Sequence, residues 1–189
     1  MATGVSGRVP RRGLLGLPGL QTRARGRADH FYTTNLAEKR AAMARGYRDE
    51  TGTTAPMYVF DRGLLHAGIR AVPLHRLYSA ERQDHLYTTD EAEVRRSIRG
   101  LGYTDELRLD SLWVFPGGDT PDSTRLFRLW HPHLTDHFYT TSEAEADHAV
   151  QRLGYRRRPF HPLPEPDVLK MPALAEGITA VRLHRLYRP

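Results

Sequence analysis

Two short runs decide how this chain folds: Leu74-His75-Arg76-Leu77-Tyr78 and, six positions after Tyr78, Asp84-His85-Leu86-Tyr87-Thr88-Thr89. Both are rich in aromatic and β-branched residues, so each reads as a strand, and the short spacer suits a hairpin. The pair recurs as Leu126-Phe127-Arg128-Leu129-Trp130 and Asp136-His137-Phe138-Tyr139-Thr140-Thr141. A third pair is split between the ends of the chain. Asp29-His30-Phe31-Tyr32-Thr33-Thr34 opens the first copy, and Leu183-His184-Arg185-Leu186-Tyr187 stands alone at the C-terminus. Periodicity of this kind is read before any other feature, because it sets the architecture.

Working outward, each Thr pair precedes a helix-capping residue with a glutamate three positions on: Asn35 with Glu38, Asp90 with Glu93, Ser142 with Glu145. That is the pattern of a capping box, in which the cap accepts a backbone N–H and the glutamate reaches back to the cap's own N–H. A helix should follow and stop at the glycines of Gly46-Tyr47, Gly102-Tyr103 and Gly154-Tyr155. Met57–Phe60 and Leu112–Phe115 supply a further apolar strand in the first two copies.

The expected fold is α+β: three pseudo-symmetric strand-strand-helix-strand units, at about 29–78, 79–130 and 131–189. The orphan strand Leu183–Tyr187 should pair beside Asp29–Thr34 and close the units into a ring, trefoil-like or like a small propeller. Closure would cover sheet edges that otherwise invite aggregation. Two irregularities qualify the equivalence. The Gly-Ile-x-Ala-Val lead-in at Gly68–Val72 and Gly177–Val181 has no counterpart before Leu126, and the third unit carries an insert with Pro159, Pro162, Pro164, Pro166 and Pro172.

A chain of 189 residues, 39% hydrophobic and 26% charged, suits one domain able to bury a core without staples. It has no cysteine, so thiol chemistry is excluded. The net charge of +6 resides in the first 28 residues, which hold Arg8, Arg11, Arg12, Arg23, Arg25 and Arg27 and no acid. From Asp29 onward, 22 basic residues match 22 acidic ones. Nucleic-acid binders carry their basic face on the folded domain, so no nucleic-acid partner is expected. Residues 1–28 read as a disordered basic leader. As a secretory signal the stretch Gly13–Leu20 is short and is interrupted by Pro18. No segment reaches the roughly 20 apolar residues needed to span a bilayer, and a monomer is expected.

Repetition also weighs on the chemistry. Asp29-His30, Asp84-His85 and Asp136-His137 could each orient an imidazole for general-base work. Three equal copies without a privileged nucleophile favour a structural role, shared with Glu38, Glu93 and Glu145. His131 and His133 have zinc-like spacing with Asp136 and His137, but have no counterparts in the other copies and flank Pro132 in a loop. No metal and no cofactor is expected. Strand alternation places Arg76, Arg128 and Arg185 on one face with Tyr78, Trp130 and Tyr187. These six are the candidate ligand-binding residues, arginine meeting hydroxyls or carboxylates while the ring packs on a sugar face. The competing reading is a buried Arg–Glu pair with Glu38, Glu93 or Glu145. Tyr32, Tyr87 and Tyr139 read as core with hydroxyls needing partners. No phosphate-binding glycine loop and no nucleophile elbow is present, so no catalytic residue is assigned.

The pattern Leu-x-Arg-Leu-Tyr, Asp-His-Phe-Tyr-Thr-Thr, Glu, Gly-Tyr resembles an uncharacterised repeat family of bacterial and fungal proteins, a domain of unknown function. The resemblance spans about Asp29 to Tyr187. It implies a stand-alone or accessory module, favours a secreted location, and brings no established activity. The expected function is a non-enzymatic repeat module binding carbohydrate or another cell-surface polymer, with the loops Ser79–Gln83 and His131–Thr135 as rims. The alternatives are a protein-interaction or structural module using the proline-rich insert and, ranked below it, a hydrolase.

Overall fold

The computed structural model describes residues 27–52, 56–60, 70–106, 112–117, 122–157, 165–170, 173–175 and 178–189. The leader, apart from Arg27 and Ala28, lies outside the described residues, as do Gly68, Gly177 and the insert prolines other than Pro166.

The chain runs β1 (Asp29–Thr33), α1 (Leu36–Ala44), β2 (Arg48–Asp49) and β3 (Met57–Phe60). It continues with β4 (Val72–Ser79), β5 (Asp84–Thr88), α2 (Glu91–Gly100), β6 (Thr104–Asp105) and β7 (Leu112–Val114). Then follow β8 (Ser123–Arg125), β9 (Phe127–His131), β10 (Asp136–Thr140), α3 (Glu143–Arg152) and β11 (Arg156–Arg157). The last strands are β12 (Asp167–Leu169), β13 (Ala173–Ala175) and β14 (Ile178–Arg188). The fold is thus mixed, three helices on a mostly antiparallel sheet that curls into a half-barrel.

Both expected hairpins form, β4 with β5 and β9 with β10, with Arg76 opposite Tyr87 and Arg128 opposite Tyr139. The split pair forms too: β14 runs antiparallel to β1 with Arg185 opposite Tyr32, so the two ends of the chain meet in the same register as the hairpins. Within the lead-in segments, Val72 opens β4 and Ile178–Val181 lies in β14. The first halves of β4 and β14 pair with β7 and β3, the second halves with β5 and β1. The units are more elaborate than strand-strand-helix-strand. The two-residue strands β2, β6 and β11 follow the Gly-Tyr pairs, and β12 follows Pro166. Such short pairings carry no periodicity for a sequence reading to detect.

The central core gathers Tyr32, Tyr87 and Tyr139 with Met57, Val59, Leu74, Val114, Val168 and Leu183. Smaller clusters lie under each helix: Phe31, Ala42 and Leu186; Leu77, Leu86 and Val94; Leu129, Phe138, Ala146 and Ala149. Only Ala42 of α1 is buried, so small residues let this helix lie close on the strands. Gly46, Gly102 and Gly154 follow the helices with φ of 95°, 71° and 81°, left-handed values that a side chain would strain.

The capping boxes form by half. Asn35 accepts from the N–H groups of Ala37 and Glu38, Asp90 from Ala92 and Ser142 from Glu145. The reciprocal bonds expected from the glutamates are replaced. Thr33, Thr88 and Thr140 hydroxyls accept the N–H of Asn35, Asp90 and Ser142 at 3.0–3.1 Å. A hydroxyl two residues back meets the cap N–H at no cost to the glutamate, which turns toward a strand arginine.

Candidate functional site

The aspartates of the motif are fully buried, and each gathers three donors. Asp29 accepts the Tyr47 hydroxyl of its own copy, and the imidazole Nδ1 and backbone N–H of His85 at 2.7 and 2.9 Å. Asp84 likewise holds Tyr103 and His137, and Asp136 holds Tyr155 and His30. Each aspartate thus serves a histidine from another copy. Burial alone would lower the His85 pKa, but Asp29 and Glu106 outweigh it and push it up to about 9. Burial opposes ionisation of Asp136, yet the His30 contacts hold its carboxyl below the usual range.

Beneath this layer, three tyrosines join the strands through their hydroxyls. Tyr32 Oη donates to the Tyr139 carbonyl and accepts the Tyr139 N–H, at 2.8 and 2.9 Å. Tyr87 does the same to Tyr32, and Tyr139 to Tyr87, at 2.7–2.9 Å. Their rings meet edge to face at 5.4–5.5 Å. Each hydroxyl supplies the donor and acceptor that a neighbouring strand would. Burial pushes the Tyr32 and Tyr87 hydroxyls well above their ordinary pKa, so they remain donors at any physiological pH.

The third layer holds the candidate arginines. Arg76 is 5% exposed and Arg185 4%; each forms a two-pronged pair, with Glu38 at 2.9–3.0 Å and with Glu145 at 2.9–3.1 Å. Arg128 meets Glu93 at 2.9 Å. These three glutamates come from the helices, Glu38 from α1, Glu93 from α2 and Glu145 from α3. Arg76 also stacks over Phe31 and Arg185 over Phe138, both at 5.1 Å. The hydrogen bonds from Arg76 hold Glu38 below its ordinary pKa. Burial works against ionisation of Glu145, but Arg185 and Thr140 prevail. The candidate aromatics Tyr78, Trp130 and Tyr187 are half-buried, packed on His85, His137 and His30 at 4.4–4.6 Å. The Arg76 and Arg185 heads are thus taken up by glutamates on both sides.

Two clefts open where copies meet. One of about 360 Å³ lies between α3 and the paired ends of the chain, lined by His30, Glu50, Phe138, Glu145, His148, Leu153, Arg185 and Tyr187 among others. Its counterpart of about 250 Å³ lies beside α1, with Phe31, Glu38, Arg45, Tyr47, Arg76, His85 and Glu106. Glu50 and Glu106 escaped the sequence reading, although the shared run Tyr-x-Asp-Glu at Tyr47–Glu50 and Tyr103–Glu106 offered a signal.

The loops expected as rims touch one another: Thr135 Oγ1 donates to the Arg82 carbonyl at 3.2 Å. His131 Nδ1 accepts the backbone N–H groups of His133 and Leu134, which is turn chemistry. Among the described residues, Asp29, Asp84 and Asp136 bring carboxylate oxygens within 4.8 Å of one another, a spacing that could suit an ion. Each already accepts a hydroxyl, an imidazole and a backbone N–H. Among the described residues, no helix is long and apolar enough to cross a membrane.

No curated protein and no solved structure matches this chain. A family model for a domain of unknown function, DUF5648, matches residues 20–159, which include all three Asp-His strands and all three helices. The chain belongs to the DUF5648 family.

Proposed function

We propose that the protein is a non-catalytic binding module for carbohydrate or another cell-surface polymer, and that its sites are the clefts between copies. The observation that carries this reading is the composition of the larger cleft. Phe138, Tyr155 and Tyr187 lie beside the polar heads of Glu50, Glu145, His30 and His148. Aromatic and apolar walls with a few fixed polar groups suit a sugar, which offers an apolar face and a rim of hydroxyls. A related cleft at a second junction favours weak binding at several points along a polymer. The carboxylates support a role without catalysis: Glu145 and Glu38 are held ionised by arginine, so neither has a proton to give as a general acid.

The architecture belongs to the same proposal. The three copies form a closed pseudo-threefold ring, supported by the pairing of β1 with β14 and by histidine–aspartate bonds that pass from copy to copy. Removing Leu183–Pro189 is then expected to unfold the body in one transition. A truncated chain that melts like the parent would defeat closure.

The functional test is a polysaccharide panel on the full chain, with the double variant His148→Ala/Leu153→Arg as control. Both side chains are exposed at the cleft, so the variant should fold. Saturable binding to one polymer, weakened roughly tenfold in the variant, is the expected result. Absence of binding across the panel, or binding indifferent to the variant, would remove the reading.

A further inference from the structure

The copies differ at one point of the arginine layer. The third residue after Tyr47 and Tyr103 is Glu50 and Glu106, but after Tyr155 it is Arg158; Arg157 likewise stands where the others have Asp49 and Asp105. The difference reaches the buried arginine. Arg76 Nε lies 2.9 Å from Glu106 and Arg185 Nε lies 3.0 Å from Glu50. The same carboxylates stand 3.5 and 4.0 Å from the Nε2 atoms of His85 and His30. Each therefore bridges an arginine and a histidine.

At the junction of the second and third copies that bridge is lacking among the described residues. Among the described residues, Glu93 is there the one carboxylate within ion-pair reach of the Arg128 guanidinium, and the guanidinium's other arm lies 3.1 Å from His137 Nε2. A guanidinium only donates, so this nitrogen accepts, and the His137 proton sits on Nδ1, donated to Asp84. Glu165 is close, but its Oε1 accepts the Arg128 backbone N–H at 3.2 Å. Arg125 and Arg157 stack on Phe127 at 5.9 and 5.1 Å, Arg157 also pairing with Asp147.

We infer that this junction takes a carboxylate from outside the chain, held between Arg128 and His137 where the other two junctions supply their own glutamate. The ligand class is an acidic polymer of the uronate type, an identification that rests on the polymer-binding reading above. A carboxylate only accepts, so binding requires a proton from solvent on His137 Nε2. The groups facing this imidazole are Asp84 from β5 and Arg128 and Trp130 from β9. Tyr103 bears on it through Asp84, and Glu93 through Arg128.

The test follows the histidine side-chain nitrogens of the full chain by NMR during titration with sodium acetate. Acetate is expected to move His137 Nε2 to its protonated position and to leave His30 and His85 unmoved. Arg158→Glu, which gives the third copy the residue of the other two, should need roughly tenfold more acetate or more, as for a lost hydrogen bond to a charged group. Trigalacturonate should bind roughly tenfold more tightly than its methyl ester, on the same ground, and the variant should lose that preference. If Arg158→Glu fails to fold, Glu106→Ala empties the equivalent place and must make His85 responsive to acetate. A His137 nitrogen indifferent to acetate, or equally responsive in Arg158→Glu, overturns the site. A response to acetate with no polymer bound anywhere keeps the site and removes the polymer reading instead.

Discussion

At the centre of the molecule, Tyr32, Tyr87 and Tyr139 each make the same two hydrogen bonds to another copy, and Asp29, Asp84 and Asp136 each hold the same three donors. At the rim, Arg76 and Arg185 each hold two glutamates while Arg128 holds one. The contrast shows where such a chain can vary. In the centre, every group is donor or acceptor to another copy, so a change in one strand orphans buried groups in its neighbour. At the rim, Glu50 and Glu106 are about 30% exposed, and water can stand in for a lost partner. Divergence is cheap there, and that is where specificity can be written.

The strongest way to break this contrast is Asp84→Ala. It leaves the His137 imidazole, the His137 backbone N–H and the Tyr103 hydroxyl without their acceptor. A loss of about 3–5 kcal/mol is expected, because three buried donors lose their acceptor and each unsatisfied buried donor costs about 1–3 kcal/mol. It should appear in urea denaturation as a shift of one cooperative transition. A loss below about 1 kcal/mol, the ordinary size for a surface change, would show that the centre tolerates variation as the rim does.

Alkaline pH sharpens the contrast with a smaller effect. His85 titrates near 6.5 when unfolded and near 9 when folded, so its contribution is complete below about pH 6.5 and disappears as pH rises through 9. The shift corresponds to stability on the order of 3 kcal/mol. Stability measured from about pH 6 to about pH 10 should fall accordingly. Glu106→Gln, which removes the rim's share of that shift, should lessen the fall by about 1 kcal/mol after allowance for the exposure of Glu106. A flat profile in the parent would mean that His85 is neutral in the folded protein.

Much of the fold was legible in the residues. The hairpins at Tyr78–Asp84 and Trp130–Asp136, the capped helices and the meeting of the chain's ends all follow from repeated motifs. The site was less so. Leu-x-Arg-Leu-Tyr shows an arginine beside an aromatic on a strand, but not that Arg76 is engaged by Glu38, 38 positions earlier. Glu38 itself read as half of a capping box until Thr33 took the Asn35 N–H. Short-range patterns account for local donors and acceptors, whereas the partners of a buried charge are chosen by whatever the fold brings beside it.

The residues alone specify the two hairpins and the three capped helices, because strand patterning, capping and turn chemistry are local properties of the chain. Only the tertiary structure decided that each histidine serves another copy's aspartate, that the tyrosines bond strand to strand, and that Arg128 turns to His137 where Arg76 and Arg185 turn to a second glutamate. The histidine and tyrosine choices depend on distances between residues 52 to 107 positions apart, which the packed core sets and no local pattern encodes.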